Sequence, residues 1–179
     1  MAAMTLEQFL LQGDTEPSSE FACGEVNQKP MPDWNHSTIQ AYLVGLLLQF
    51  LARERIGRVL PEFRCIFGPL GRERAFVPDL VFIARRQLPV DRYLRAAPDL
   101  AVEILSPGQN VAEFLAKITF YLRYGVRVVW VIDAEESTVT VFSPDTDEVR
   151  LRVGETLDGG SVLPGFSVAV ADIFEQTQD

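Results

Sequence analysis

The sequence predicts a mixed-sheet α/β (α+β) domain, with helices packed on its central strands. Three observations lead there. Residues 35–55 and 111–124 repeat apolar side chains at helical spacing. Residues 75–84, 100–105 and 126–132 are short apolar runs of the kind that form central strands. Proline and glycine punctuate the chain between them. With 179 residues and 47% hydrophobic content, the chain suffices for one domain with a real core. That core is expected over about 20–142, followed by an acidic hairpin and tail over 143–179.

Thr5 to Leu11 reads as a short helix, with Thr5 as N-cap and Gln8 three residues on. Residues 13–19 are polar and loop-like, and Glu20 to Val26 is a weak strand. Lys29-Pro30-Met31-Pro32-Asp33 interrupts regular structure. Asn35 or Ser37 then caps a helix to about Arg55, with Ile39, Leu43, Leu46, Leu47 and Phe50 apolar and Gly57 ending it. Arg58 to Phe67 alternates in part, and Gly68-Pro69-Leu70-Gly71 is a turn. Ala75 to Ala84 and Leu100 to Leu105 are apolar enough to lie centrally. Residues 106–110 break the chain before an amphipathic helix, Val111 to Tyr124, whose inner side carries Phe114, Leu115, Ile118, Tyr121 and Leu122. Gly125 stops it. Val126 to Ile132 is a buried strand containing Trp130. Thr138 to Phe142 and Val149 to Val153 form a hairpin through Pro144-Asp145-Thr146-Asp147. The tail, 157–166, is turn-rich and then apolar.

Composition excludes several classes. No run of about 18 apolar residues exists, so no membrane span is expected. The N-terminus lacks the basic-then-apolar order of a signal peptide. Cys23 and Cys65 form no CxxC pair and read as reduced thiols, which fits a cytoplasmic protein. His36 is the sole histidine, which rules out multi-histidine metal sites. No GxSxG elbow, P-loop or GxGxxG is present. The net charge of −9 is confined to the C-terminal quarter, where eleven acids from Asp133 onward face only Arg150 and Arg152. The middle is rich in arginine, Arg74 included, and arginine's planar fork suits phosphate. On charge alone a solvated surface is the favoured reading of those arginines; DNA binding is permitted by the pattern, not shown by it.

Two acids interrupt apolar strands. Asp79 lies in Phe76-Val77-Pro78-Asp79-Leu80-Val81-Phe82, and Glu103 in Leu100-Ala101-Val102-Glu103-Ile104-Leu105. A buried carboxylate is costly unless its charge is compensated. Strand side chains alternate with a period of two, so Asp79, Val81 and Ile83 share a face, as do Asp99, Ala101, Glu103 and Leu105. On neighbouring strands Asp79 and Glu103 could meet around a divalent cation, which takes hard oxygen ligands. Glu103 lies mid-strand between Val102 and Ile104, where a bare carboxylate has no obvious structural use, but Asp79 has a structural explanation. Asp79 follows Pro78 and could simply open its strand, as Asp99 does after Pro98. Lys117 stands on the next helix, where it could assist a water or merely pair with Glu113 four residues earlier. Lys29 and Lys117 are the only lysines, against fourteen arginines.

These blocks, in this order, resemble the Uma-two family of restriction-endonuclease-like proteins, abundant in cyanobacteria, within the PD-(D/E)XK nuclease superfamily. They are Gly24-Glu25-Val26, His36 opening a helix, Val77-Pro78-Asp79, Pro98 to Pro107, Lys117 to Tyr121, Gly125 to Asp133 and Leu157 to Phe166. The resemblance implies a restriction-endonuclease-like core with a mixed sheet flanked by helices, and a Mg2+- or Mn2+-dependent endonuclease acting on DNA. Asp79 matches the PD acid and Glu103 the second acid, both metal ligands, with the Ile104 carbonyl as a further one. The motif lysine should sit at Leu105, a departure, and Lys117 matches the lysine that family members carry on the following helix. Glu25, or alternatively Glu20, matches an N-terminal catalytic acid. His36 and Arg74 are candidate substrate contacts, His36 with helix capping as its alternative. A homodimer is expected, since nucleases that cut both strands commonly pair. The rival reading is an inactive module that keeps the fold to bind nucleic acid or a protein partner.

Overall fold

The computed structural model describes residues 4–69, 72–88 and 91–177. Its elements run α1 (Leu6–Leu11), β1 (Ser19–Ala22), β2 (Glu25–Gln28), α2 (Trp34–Glu54), β3 (Gly57–Pro61), β4 (Cys65–Phe67), β5 (Arg74–Phe76), β6 (Leu80–Ala84), β7 (Leu100–Ile104), α3 (Val111–Arg123), β8 (Val128–Asp133), β9 (Thr138–Ser143), β10 (Thr146–Arg152), β11 (Thr156–Asp158), β12 (Ser167–Ala169) and α4 (Val170–Glu175). A six-stranded sheet has the order β10-β9-β8-β7-β6-β3, and a four-stranded sheet the order β2-β1-β5-β4. Every pair is antiparallel except β7 with β8, which α3 connects as a crossover. The mixed sheet flanked by helices is therefore present as expected.

The six-stranded sheet separates two layers of core. On one face Leu80, Phe82, Leu100, Val102, Ile104, Trp130 and Ile132 pack against α2 and α4. On the other Val81, Ile83, Ala101, Val129 and Val131 pack against α3 and the smaller sheet. This is the alternation expected of β6 and β7. Helix α2 faces the sheet through Ile39, Leu43, Leu47 and Leu51, spaced every fourth residue and all buried. A third cluster, Phe9, Phe21, Ile66 and Ala75, seats α1 under the smaller sheet.

Several boundaries differ from expectation. The weak strand at 20–26 is a hairpin whose turn, Cys23-Gly24, has φ of 55° and 85°, the two positive values a tight two-residue turn requires. Helix α2 is capped by Asp33, not Asn35 or Ser37: the Asp33 carboxylate accepts from the His36 N–H at 2.8 Å. The helix ends on Arg55 in the left-handed region, and Gly57 begins β3 instead of stopping the helix. The run 75–84 is two strands in two sheets, broken at Val77-Pro78-Asp79. The tail forms β11, β12 and α4. The turn expected at 68–71 lies partly outside the described residues.

Candidate active site

The site grows from the break between β5 and β6. Pro78 has no N–H to give a ladder, so the strand cannot continue through it and the chain crosses between sheets. The backbone groups left over find side-chain partners. The Val77 N–H donates to Glu20 Oε1 at 2.9 Å, and the Val77 carbonyl accepts from Lys29 Nζ at 2.9 Å. The Asp79 carbonyl accepts from Gln40 Nε2 at 2.9 Å and from the Glu62 N–H at 3.1 Å. The hairpin β1–β2, helix α2 and strand β6 are thereby tied together at the bend formed by Val77 and Asp79.

The register that sets Leu80 opposite Val102 brings Asp79 alongside Glu103. Both are buried, at 1% and 3% exposure. Asp79 Oδ2 accepts from the Ile104 N–H at 2.6 Å, and Oδ1 lies 2.5 Å from Lys29 Nζ and 3.3 Å from His36 Nε2. Glu103 Oε1 accepts from the Tyr121 hydroxyl at 2.7 Å and lies 2.9 Å from Lys117 Nζ. Lys117 also reaches Glu20 Oε1 at 2.8 Å. Both lysines of the chain therefore stand in this one site, each against one of the two strand acids.

Charge splits the pair. Burial alone would raise the Asp79 carboxyl, but the hydrogen bond from His36 and the Lys29 charge outweigh it and hold Asp79 well below the usual range. Burial dominates at Glu103, with the Asp79 charge adding to it, and raises that carboxyl despite Lys117. Burial would lower Lys117, but Glu103 and Glu20 overcome it and keep its ammonium protonated well beyond neutral pH. Tyr121 is pushed up by burial and by Glu103, so its hydroxyl stays a donor. The pair opens into a cavity of about 540 Å³ that is also lined by His36, Arg74 and Ile104.

Asp79, Glu103, Lys117, His36 and Ile104 thus converge. Lys117 does not pair with Glu113, which instead accepts from Asn110. His36 does not cap its helix; its ring reaches Asp79. Glu25 is exposed on β2, and the hairpin acid that touches Lys117 is the alternative, Glu20. Arg74 lines the cavity with its guanidinium 4.3 Å above the Phe120 ring. Leu105, where the motif lysine was expected, packs into the apolar layer under α3. Three contributors escaped sequence reasoning. Lys29 was signalled only by the scarcity of lysine, Tyr121 was hidden in an apolar helix face, and Gln40 gave no signal. Asp99 opens β7 as expected but is also a buried hub, bound by Arg86, by Arg127 at 3.3 Å and by the Ala84 N–H at 3.0 Å. Among the described residues, no three His, Cys, Asp or Glu side chains form a ready cage for a metal ion.

Residues 6–171 match the model of the Uma2 family, described as "Putative restriction endonuclease". A crystal structure of a "putative nuclease belonging to DUF820" from Anabaena variabilis ATCC 29413 superposes with a TM-score of 0.88. It is 30% identical in sequence, with 97% of this chain and 98% of that chain covered. No curated protein matches the chain.

Proposed function

The chain belongs to the Uma2 family, and on that premise we propose that it is a magnesium-dependent endodeoxyribonuclease, hydrolysing phosphodiester bonds with an activated water. The observation that carries this reading is the buried Asp79–Glu103 pair, accompanied by both lysines of the chain and open to a cavity. The donor set fits a hard divalent cation. Asp79, Glu103 and the Ile104 carbonyl would supply the oxygen ligands, and magnesium takes only one or two carboxylates while keeping several waters. When bound, such a cation polarises phosphate and acidifies water.

The chain's own groups divide the remaining work. The Ile104 N–H and His36 fix the orientation of Asp79, and Tyr121 fixes Glu103. Lys117, held against Glu103 and Glu20, is placed to position the water and to offset the charge that develops on phosphate. Glu20 holds Lys117 against the bend at Val77. His36 and Arg74 line the cavity as candidate phosphate contacts.

The test is hydrolysis of supercoiled plasmid with Mg2+ or Mn2+. Asp79→Ala and Glu103→Gln are each expected to lower the rate at least about a hundredfold, as loss of a ligand or of its supporting contacts does. Cleavage that persists in both variants would sink the assignment. A second reading, an inactive nuclease-fold module, draws on the acid-rich lining of the cavity, which repels a polyanion. Calorimetry separates the two, since a wild-type site that takes up no divalent cation favours the module. We also propose a homodimer, the arrangement that cuts both strands together, which sedimentation velocity tests.

A further inference from the structure

Among the described residues, both oxygens of Asp79 have partners. Oδ2 is held by the Ile104 N–H at 2.6 Å, and Oδ1 by Lys29 at 2.5 Å and His36 at 3.3 Å. Each carboxylate oxygen offers two acceptor sites, so Oδ2 keeps one, whereas Oδ1 has both of its sites engaged, and a divalent cation that takes Oδ1 must displace Lys29 or His36. The Ile104 N–H belongs to the backbone where β7 ends, in mid-sheet. His36 rides on the long helix α2 with its ring 7% exposed. Lys29 differs from both. Its main chain is pinned, with its N–H on the Ser18 carbonyl at 2.9 Å and Pro30 following, but its ammonium ends a flexible four-carbon stem. Its side chain is 13% exposed, and it lines the same cavity.

The other lysine is held more firmly. Lys117 bridges two carboxylates, Glu20 at 2.8 Å and Glu103 at 2.9 Å. If a cation drew Glu103 away, Lys117 would keep Glu20. Among the described residues, Lys29 Nζ has Asp79 as its one carboxylate contact and otherwise the Val77 carbonyl.

We propose that Lys29 is a displaceable counter-ion of the active site: its ammonium occupies the Asp79 oxygen that the divalent cation takes, and cation entry drives it off into the cavity. This rests on the metal-dependent reading above. In the metal-free protein Lys29 spares the fold a bare buried carboxylate. After exchange its charge faces the cavity, where the phosphate of a bound nucleic acid enters. The chain has lysine at these two positions and arginine at all its other basic ones. A compact point charge on a mobile stem suits an exchanging partner better than a planar fork does.

The scarcity of lysine makes the test direct. With 15N-lysine labelling the protein shows two side-chain ammonium signals, and Lys29→Met identifies which is which. Titrating wild-type protein with Mg2+, without nucleic acid, is expected to shift the Lys29 signal saturably and expose its protons to rapid solvent exchange. The Lys117 signal stays protected. In calorimetry Lys29→Met is expected to bind Mg2+ about tenfold more tightly, since the competing ammonium is gone. If wild-type protein binds Mg2+ in a manner abolished by Asp79→Ala while Lys29 stays protected, the counter-ion proposal is overturned and the metal site survives. Equal or weaker Mg2+ binding by Lys29→Met overturns it too. If neither protein takes up Mg2+, the metal-dependent reading falls and the proposal falls with it. Should Lys29→Met fail to fold, Lys29→Gln replaces it for assignment and calorimetry.

Discussion

At Asp79 burial and pairing act in opposite directions, and pairing wins. Its folded pKa lies below the ordinary value because the His36 hydrogen bond and the Lys29 charge outweigh desolvation. A carboxyl depressed in this way contributes stability above its unfolded pKa, about 3.9, and loses it as pH falls through the folded value. Glu103 has the opposite sign. Its raised pKa favours the fold below its unfolded value, about 4.3, and that contribution is lost as pH rises through the folded one. The acid limb of metal-free stability should therefore come in part from Asp79. Asp79→Asn is expected to flatten that limb below about pH 4. At pH 7 it should also lower stability, because the charge-assisted contacts of Asp79 with Lys29 and His36 are lost. Urea unfolding at pH 3, 5 and 7 measures both effects, and an acid limb as steep as wild type in the variant would contradict the assignment.

Among the elements, the strands carrying the two acids were readable because period-two alternation is strict. It placed Asp79 with Val81 and Glu103 with Ala101; Val81 and Ala101 do lie toward α3, where Glu103 meets Tyr121, whereas Asp79, just ahead of β6, meets His36 of α2. What alternation does not encode is which sheet a strand joins. Apart from Asp79 the run 75–84 is apolar on both sides of Pro78, since its residues are buried in either sheet, so hydropathy did not mark the change of sheet there. The same limit hid Lys29, whose partner Asp79 lies fifty residues away and meets it only through the hairpin. Gly57 shows another. A glycine after a helix reads as a stop signal, but this one begins β3 because there is no room for a side chain. A Cβ there would lie 2.3 Å from the Ile83 carbonyl oxygen and 2.5 Å from the Phe82 ring. Ile83 and Phe82 belong to β6, the strand that leads out of Asp79. Gly57→Ala should thus strain the β3–β6 pairing and cost about 1–3 kcal/mol, as overpacking does. A lowered urea midpoint with an unchanged slope would show it, and a wild-type midpoint would refute it.

Over the whole molecule the charge opposes the proposed substrate. The net charge is −9; of the eleven acids from Asp133 onward, Asp147 and Glu148 lie on β10, the outer edge of the six-stranded sheet, and five follow it in the sequence. Several arginines of the middle stretch are committed internally. Arg64 is buried against Asp14, and Arg86 and Arg127 hold Asp99. The cavity itself is lined by seven carboxylates, with Glu16, Glu25, Glu62 and Glu113 exposed around it, against Lys29, Arg74 and Lys117. A duplex approaching this mouth meets repulsion unless cations enter first, and field lines focused in a cleft strengthen that effect. The protein should therefore bind DNA weakly without divalent ions and acquire affinity when they fill the site. With Ca2+, a hard cation that takes oxygen ligands as magnesium does, Asp79→Ala and wild type are expected to diverge. Fluorescence anisotropy of a short labelled duplex should show wild-type affinity rising at least about tenfold on replacing EDTA with Ca2+, equivalent to 1.4 kcal/mol. Asp79→Ala should gain far less, because the general screening by Ca2+ remains but the bound ion is lost. If both proteins gain equally, screening alone explains the effect and the acid pair does not recruit DNA through a metal. If wild type binds as tightly in EDTA as in Ca2+, the acidic mouth is not the entrance for the polyanion.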